Sequence, residues 1–469
     1  MYDRPALPLL RSPPFPRISQ EVAAVSAWRD RPLEEAPDLT RAGALVTMIE
    51  QAGVVGSFWD PMSPPPALEP FRQDPTLAWR ELIATVKYRD PFTGKEATAE
   101  EVVALLAHWR HEIRRNPGWG GRKVIVAGVG QWKRREVARL LWAGSGSSII
   151  YDVATRLADA DAVVAWPSRV DPDLADRAAA SALPYWQIED GFIRSVGLGA
   201  ACHPPFSIVL DGAGAHYDPS YPNDLEALLV TAEFQPELIA RAEALIALIV
   251  RSGISKYEIG DGMVALPLKT RRRILVTGQV EDDLSVRLGG GDIRSNLELL
   301  RRVRLAEPDA EIWFKPHPDV DAGHRKGVVP DGEALRYADQ VLRGVPMASL
   351  FAAIDGIHVL TSLAGFEALL RGVDTTTHGV PFYAGWGLTH DLGPVPARRQ
   401  RRLALAELAA AVLLLYPKYL DPVTGLPCTP EVLIRRLSEQ KRPQETWLTR
   451  LRHLEGGLRR RISQFMSTQ

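Results

Sequence analysis

Short apolar runs that end in a glycine or a polar residue, each followed by a helical pattern, recur in two series along this chain. That alternation constrains the fold more than any other feature. The first series runs Lys123-Val-Ile-Val-Ala-Gly128, a helical stretch Arg134 to Ala143, Ser148-Ile-Ile-Tyr-Asp152, Ala162-Val-Val-Ala-Trp166 and a helical stretch Asp171 to Ala182. The second opens after a long helical pattern, Pro236 to Arg251. It continues with Arg273-Ile-Leu-Val-Thr277, a helix over Ile293 to Leu305, Glu311-Ile-Trp-Phe-Lys315, a short helix over Met347 to Ala353, Gly356-Ile-His-Val-Leu360, and a helix from about Ala364. Apolar strands alternating with helices require a parallel sheet covered on both faces. Ligands of such open α/β sheets bind beyond the carboxyl ends of the strands, so polar residues at strand ends are the ones to weigh.

Length supports more than one unit, because 469 residues exceed one ordinary core. A hydrophobic share of 46% with 24% charged residues is globular composition. The net charge of −1 gives no global pull toward nucleic acid. Cys202 and Cys428 are too few for a disulfide framework or a zinc site, which suits a reducing cytosol. The N-terminus carries five prolines within Met1 to Arg17 and no apolar signal core. Leu403 to Tyr416 contains Glu407 and is shorter than the roughly 20 residues a membrane helix needs, so it reads as a buried helix. Pro64-Pro65-Pro66, within a weakly periodic segment of about 75 residues, reads as a linker or extended arm.

One internal repeat is present: Lys87-Tyr-Arg-Asp-Pro-Phe-Thr-Gly94 matches Lys418-Tyr-Leu-Asp-Pro-Val-Thr-Gly425, with Thr98/Thr429 and Glu100/Glu431 following. Asp-Pro-x-Thr-Gly is turn chemistry, proline presetting φ and glycine accepting positive φ. We read it as a module boundary used twice.

Four strand ends carry candidate chemistry. Tyr185-Trp-Gln-Ile-Glu-Asp-Gly-Phe192 ends in two carboxylates and a glycine, fit for a nucleophile or general base; an Asp-Gly turn in solvent has the same sequence. In Lys315-Pro-His-Pro-Asp319, prolines stiffen the frame of His317, and His317 and Lys315 suit a phosphate. Thr361-Ser-Leu-Ala-Gly365 enters a helix, and Ser362 serves as N-cap or phosphate contact, two roles that coexist. Val276-Thr-Gly-Gln-Val-Glu-Asp-Asp283 offers Gln279, Glu281 and Asp283 to sugar hydroxyls. Gly289-Gly-Gly291 reads as a flexible loop able to cover a ligand, and it lacks a dinucleotide or Walker pattern. Pro381-Phe-Tyr-Ala-Gly-Trp-Gly387 reads as a packed loop between domains, with stacking on a base or sugar as the alternative. The tail Trp447 to Met466 spaces apolar residues at three and four positions among Arg450, Arg452 and Arg459 to Arg461. That pattern suits an anionic membrane surface, the protein's own core or a partner.

Together, Glu189-Asp-Gly-Phe-Ile-Arg-Ser-Val-Gly-Leu-Gly199, Gly278-Gln-Val-Glu-Asp-Asp283, Lys315-Pro-His-Pro318, Ser362-Leu-Ala-Gly-Phe-Glu-Ala368, Pro381-Phe-Tyr-Ala-Gly-Trp-Gly-Leu388 and Tyr416-Pro-Lys-Tyr-Leu-Asp-Pro422 resemble, in order over residues 80 to 440, the capsule polysaccharide β-Kdo transferases of the KpsC type. The resemblance implies a GT-B-like α/β fold of two Rossmann-like doubly wound domains facing across a cleft. The expected layout is a proline-rich extension (1–80), an acceptor-side domain with the Glu-Asp-Gly turn (81–250), a nucleotide-side domain with the His-Pro segment (251–400), and C-terminal helices with the basic tail (401–469). The implied reaction is retaining transfer of Kdo from CMP-β-Kdo to a Kdo-terminated or lipid-linked acceptor, with no cofactor or metal. The implied catalytic residues are Asp190 as nucleophile, Glu189 and His317. The implied donor contacts are Lys315, Pro318, Ser362, Leu363, Glu367, Gln279, Glu281 and Gly191. Family members commonly hold two such modules, and this chain resembles the second with a remnant of the first. Cytoplasmic placement at the inner membrane, with capsule assembly or export proteins as partners, is expected. An inverting CMP-sugar transferase with Asp190 as base, and a non-catalytic assembly protein, are the alternatives.

Overall fold

Five-residue runs with three apolar residues at their centre and no exposed position form the strands β1 (Arg273–Thr277) and β2 (Glu311–Lys315) in the computed structural model, which describes residues 7–117, 119–151, 157–194, 204–255 and 268–439. They belong to a six-stranded sheet with β3 (Gln340–Val341), β4 (Gly356–Val359), β5 (Asp374–Thr377) and β6 (His390–Asp391). Every pairing is parallel, and the strand order is 3-2-1-4-5-6. Right-handed crossovers from this order send the helices to opposite faces on either side of β1, and the order is the doubly wound one whose ligand crevice opens where the winding reverses, between β1 and β4. Leu299, Leu300 and Val303 of the helix Asn296–Ala306 pack on Ile274, Val276, Ile312 and Phe314.

The chain divides into two units: residues 1–165, 169–185 and 418–433, and residues 166–168, 186–417 and 434–469. The second holds the six-stranded sheet, the helix Pro236–Arg251 and the antiparallel pair Gln187↔Asp211 to Asp190↔Ile208. The Glu-Asp strand thus lies in an antiparallel pair, where a purely parallel series is the sequence expectation. In the first unit, Lys123–Ala127 lies parallel between Ser148–Ile150 and Ala162–Ala165.

Reading the N-terminal 80 residues as an extension or arm needs correction. Pro64 to Pro66 are exposed and outside helices and strands, yet Leu10, Phe15, Leu45, Val46, Ile49 and Trp79 share one core with Val102, Leu106 and Trp109. Asp38 caps the helix Leu39–Ala52 and Gly53 ends it in the left-handed region. Arg41 grips Glu100 through two hydrogen bonds of 2.7 and 2.9 Å. Prolines at the segment's start hide its periodicity, and burial comes from distant partners, as where Phe15 packs on Trp109 and Trp142.

The sequence repeat is also a structural one. Both copies follow an α-helical turn that widens into a π-helix, Arg80–Ala84 and Ala410–Leu415, and then run strand, turn, short strand and helix. In each turn the aspartate, Asp90 or Asp421, accepts from the Thr93 or Thr424 hydroxyl (2.6 and 2.8 Å), and Gly94 and Gly425 take φ of 72° and 73°. The stretch 403–416 is the expected buried helix, in two forms: Leu405–Ala409 α-helical and Ala410–Leu415 π. Among the described residues no helix is long and apolar enough to cross a membrane.

Candidate functional site

The reversal point between β1 and β4 is built by Gln279 and Thr361, 82 positions apart. Gln279 Oε1 accepts from Thr361 N (2.8 Å) and its Nε2 donates to Thr361 Oγ1 (2.9 Å). Its backbone exchanges two hydrogen bonds of 2.8 Å with the Asn296 side chain. Gln279 therefore holds the Thr361-Ser362 turn in place, with both ends of its amide engaged. Ser362 caps the helix Leu363–Leu369, its Oγ accepting from Ala364 N (3.2 Å). Leu363 is half-buried at the first helical position, and Glu367 is buried further along. Gly365 is obligatory here, because a Cβ would stand 2.2 Å from the Tyr383 phenol oxygen, which itself donates to the Ser362 carbonyl.

Next to β1, the carboxyl end of β2 delivers Lys315-Pro-His-Pro318. Lys315 is buried and its ammonium donates to Val345 O (2.7 Å). His317 caps the short helix that Pro318 begins, and its Nδ1 accepts from Asp319 N (3.1 Å). That bond assigns the neutral imidazole's proton to Nε2, so the half-buried ring is a donor on its other side. Two buried oxygens at these strand ends, Thr277 Oγ1 and Asp319 Oδ1, make no hydrogen bond among the described residues. Nothing local in the sequence marks either oxygen, because their burial depends on neighbouring strand ends.

The Glu-Asp-Gly turn is shaped by close approach. A Cβ on Gly191 would lie 2.3 Å from Ser207 Oγ, and Gly191 N donates to Ser207 O (3.0 Å). Asp190 N donates back to Glu189 Oε1 (2.9 Å). Asp190 Oδ2 accepts from Arg194 Nε at 2.7 Å, and the arginine side chain is fully buried. Sequence reasoning overlooked Arg194, although its place four residues after the acid was a signal. Ser195 to Gly199 of this motif lie outside the described residues, as do Cys202 and the tail Trp447 to Met466.

Aromatic packing brings three of the motif segments together. Phe192, from the Glu-Asp-Gly turn, has its ring centroid 4.7 Å from Phe382 and 6.4 Å from Phe366. His216 lies edge-on to Phe192 and Phe382, at 5.2 and 5.9 Å. The 381–387 loop is packed: Tyr383, Ala384 and Trp386 are fully buried, and Arg399 donates to Pro381 O (2.7 Å) and Ala384 O (2.9 Å). Tyr416 donates to Asp211 Oδ2 (2.7 Å), and burial with that carboxylate pushes its phenol well above 10, so it stays a donor.

Two expectations change. Gly289 to Gly291 do not form a loose cover: Gly289 ends a helix, Val380 N donates to its carbonyl (2.7 Å), and a Cβ on Gly290 would meet Val286 O at 2.4 Å. The acids after Gln279 have local jobs. Glu281 accepts from Asn296 N (2.8 Å), Asp282 pairs with Arg325 (3.1 Å), and Asp283 caps Leu284–Gly289.

The model of a family described as capsule polysaccharide biosynthesis protein matches residues 161–263 and 242–419, which is more than half of the chain. The chain belongs to this family. Within the capsule polysaccharide biosynthesis family it is 38% identical over 367 residues to the capsule polysaccharide modification protein LipA of Neisseria meningitidis serogroup A, covering 76% of this chain and 51% of LipA. It is 36% identical to the lipopolysaccharide-processing protein LpsZ of Rhizobium meliloti, covering 68% of this chain and 74% of LpsZ. Two solved structures of Thermosulfurimonas dismutans KpsC are similar. The beta Kdo 2,4 transferase has TM-score 0.59 and 34% identity, covering 67% of this chain and 97% of that one. The beta Kdo 2,7 transferase has TM-score 0.56 and 33% identity, covering 68% and 100%. The chain spans about half the length of LipA.

Proposed function

We propose that this chain is a glycosyltransferase that moves Kdo from CMP-β-Kdo, with retention, onto a Kdo-terminated or lipid-linked acceptor of a capsular or related surface polysaccharide. The observation that carries the reading is the Asp190–Arg194 pair, a half-buried carboxylate backed by a fully buried cation at the end of its strand. In the first displacement an Asp190 oxygen bonds to the anomeric carbon, and that carbon's bond to the CMP phosphate oxygen breaks, CMP leaving with the electron pair. In the second, the acceptor hydroxyl oxygen takes the anomeric carbon, its proton passes to Glu189, and the Asp190 ester bond breaks. His317 Nε2–H and Lys315 stabilise the departing phosphate. Pro318, Ser362 with Leu363, Glu367 and Gly191 line or shape the donor's place, Gln279 acts through Thr361, and Glu281 acts through Asn296. A GT-B arrangement, a cytoplasmic place at the inner membrane, and capsule assembly or export partners belong to the same reading.

The test supplies CMP-Kdo generated in situ and defined Kdo-terminated acceptors to the purified chain. Product linkage is read by NMR and a sugar adduct on Asp190 by mass spectrometry. Transfer with an adduct on Asp190, lost in Asp190→Ala, is the expected result. Retained activity in Asp190→Ala refutes the assignment, and transfer with inverted configuration and no adduct makes Asp190 a general base.

A further inference from the structure

We propose that Arg194 is a positioning residue for the double displacement: its guanidinium holds one oxygen of Asp190 and thereby sets both the aim of the carboxylate and the rate at which the glycosyl ester on it breaks down. This rests on the reading of Asp190 as nucleophile.

Three observations support it. The Asp190–Arg194 bond is short (2.7 Å), charge-assisted and asymmetric, with the arginine side chain 0% exposed and the aspartate 19%. By contrast, both partners of the Arg399–Glu226 pair are deeply buried, at 1% and 5%. Next, Arg194 is fixed from behind. Phe206 N donates to Arg194 O (2.9 Å), Gly191 N donates to Ser207 O (3.0 Å), and the Ser207 hydroxyl donates to Ile193 O. The turn from 191 to 194 is thus laced to the start of the neighbouring strand, which fixes the backbone from which the buried Arg194 side chain reaches Asp190. Finally, the Phe192 ring, between the two residues, is anchored among Phe366, Phe382 and His216.

The chemical consequence is directional. When the Asp190 oxygen bonds to the anomeric carbon the carboxylate loses its charge, and the bond from Arg194 weakens to one on a neutral ester. When the ester breaks, the charge and the strong bond return. Arg194 therefore favours breakdown over accumulation of the adduct. Loss of one charge-assisted hydrogen bond slows breakdown about 10- to 100-fold.

The experiment follows adduct formation and decay on Asp190 by rapid quench and intact-mass measurement. It uses the wild-type chain, Arg194→Lys and Arg194→Met with CMP-Kdo made in situ and a Kdo-terminated acceptor, alongside donor KM and thermal unfolding. The expected result is an adduct that persists about 10- to 100-fold longer in Arg194→Met, with donor KM changed less than about threefold, and partial recovery in Arg194→Lys. Where Arg194→Met does not fold, Arg194→Lys keeps the buried charge and is judged alone, a several-fold longer adduct lifetime being expected. Wild-type adduct lifetime in a folded Arg194 variant, or a loss confined to KM, overturns the inference and leaves the function standing. Wild-type transfer without an adduct on Asp190 overturns both.

Discussion

The Trp109 indole donates from Nε1 to the Pro427 carbonyl at 2.7 Å, joining the helix of the first repeat copy to the hairpin of the second across 318 positions. Beside it, Lys418 Nζ donates to Glu112 O (2.7 Å) and Oε2 (3.2 Å). Burial lowers the Lys418 pKa to about 8, Glu112 opposing the shift. The repeated motif is therefore one packed assembly, and the first copy is a structural support of the second.

Replacing Trp109, which is fully buried between Phe15 and the hairpin, tests that support. Trp109→Ala is expected to cost about 3–5 kcal/mol through the cavity. Trp109→Phe, which strands the Pro427 carbonyl, is expected to cost about 1–3 kcal/mol. Urea unfolding of each variant gives the values.

The two equivalent turn glycines should differ in tolerance. Both hold positive φ, but a Cβ on Gly94 meets open space apart from Arg89 Nη2 at 3.8 Å, whereas one on Gly425 falls 2.0 Å from Arg139 Nη1. Arg139 cannot swing away freely, because it donates to Pro16 O and Arg17 O. Gly94→Ala should cost about 1–2 kcal/mol, and Gly425→Ala clearly more, as thermal unfolding of the pair will show.

Gln279→Ala removes the clip on Thr361 while leaving the sheet core intact. The expected outcome is weaker binding of CMP by about 10-fold, on the scale of one to two lost hydrogen bonds, with little change in unfolding temperature. Calorimetric titration of CMP into both proteins decides it.

Acid should loosen the sheet through two buried histidines. His358 Nδ1 faces His378 Nε2 at 3.0 Å, and burial lowers their pKa values to about 3 and about 4. Both are depressed below the unfolded value of about 6.5, so the unfolded chain binds more protons between those limits. Stability is then complete above pH 6.5 and declines as pH falls toward 4, by at most about 1.4 kcal/mol per pH unit for each histidine. Unfolding midpoints from pH 7.5 to 4.5 should fall less steeply in His358→Gln. An unchanged slope would mean the pair does not carry the effect.

Strand and helix periods, turn chemistry and the order of the motifs were legible in the chain because each depends on residues within a few positions of one another. The runs at 273–277 and 311–315 became strands with the expected limits, and Asp-Pro-x-Thr-Gly became the same turn twice. Only the tertiary structure decided the rest. Asp374–Thr377 is polar in sequence, yet it is a strand of the sheet because Thr375 and Thr377 hydroxyls find Val373 O and Asp391 Oδ1. The 3-2-1-4-5-6 order, which no local period encodes, brought Gln279 to Thr361. The antiparallel return at Ser207 buried Arg194 against Asp190. Pairing across tens of residues is set by which faces must leave water together, and that is a property of the whole packed chain.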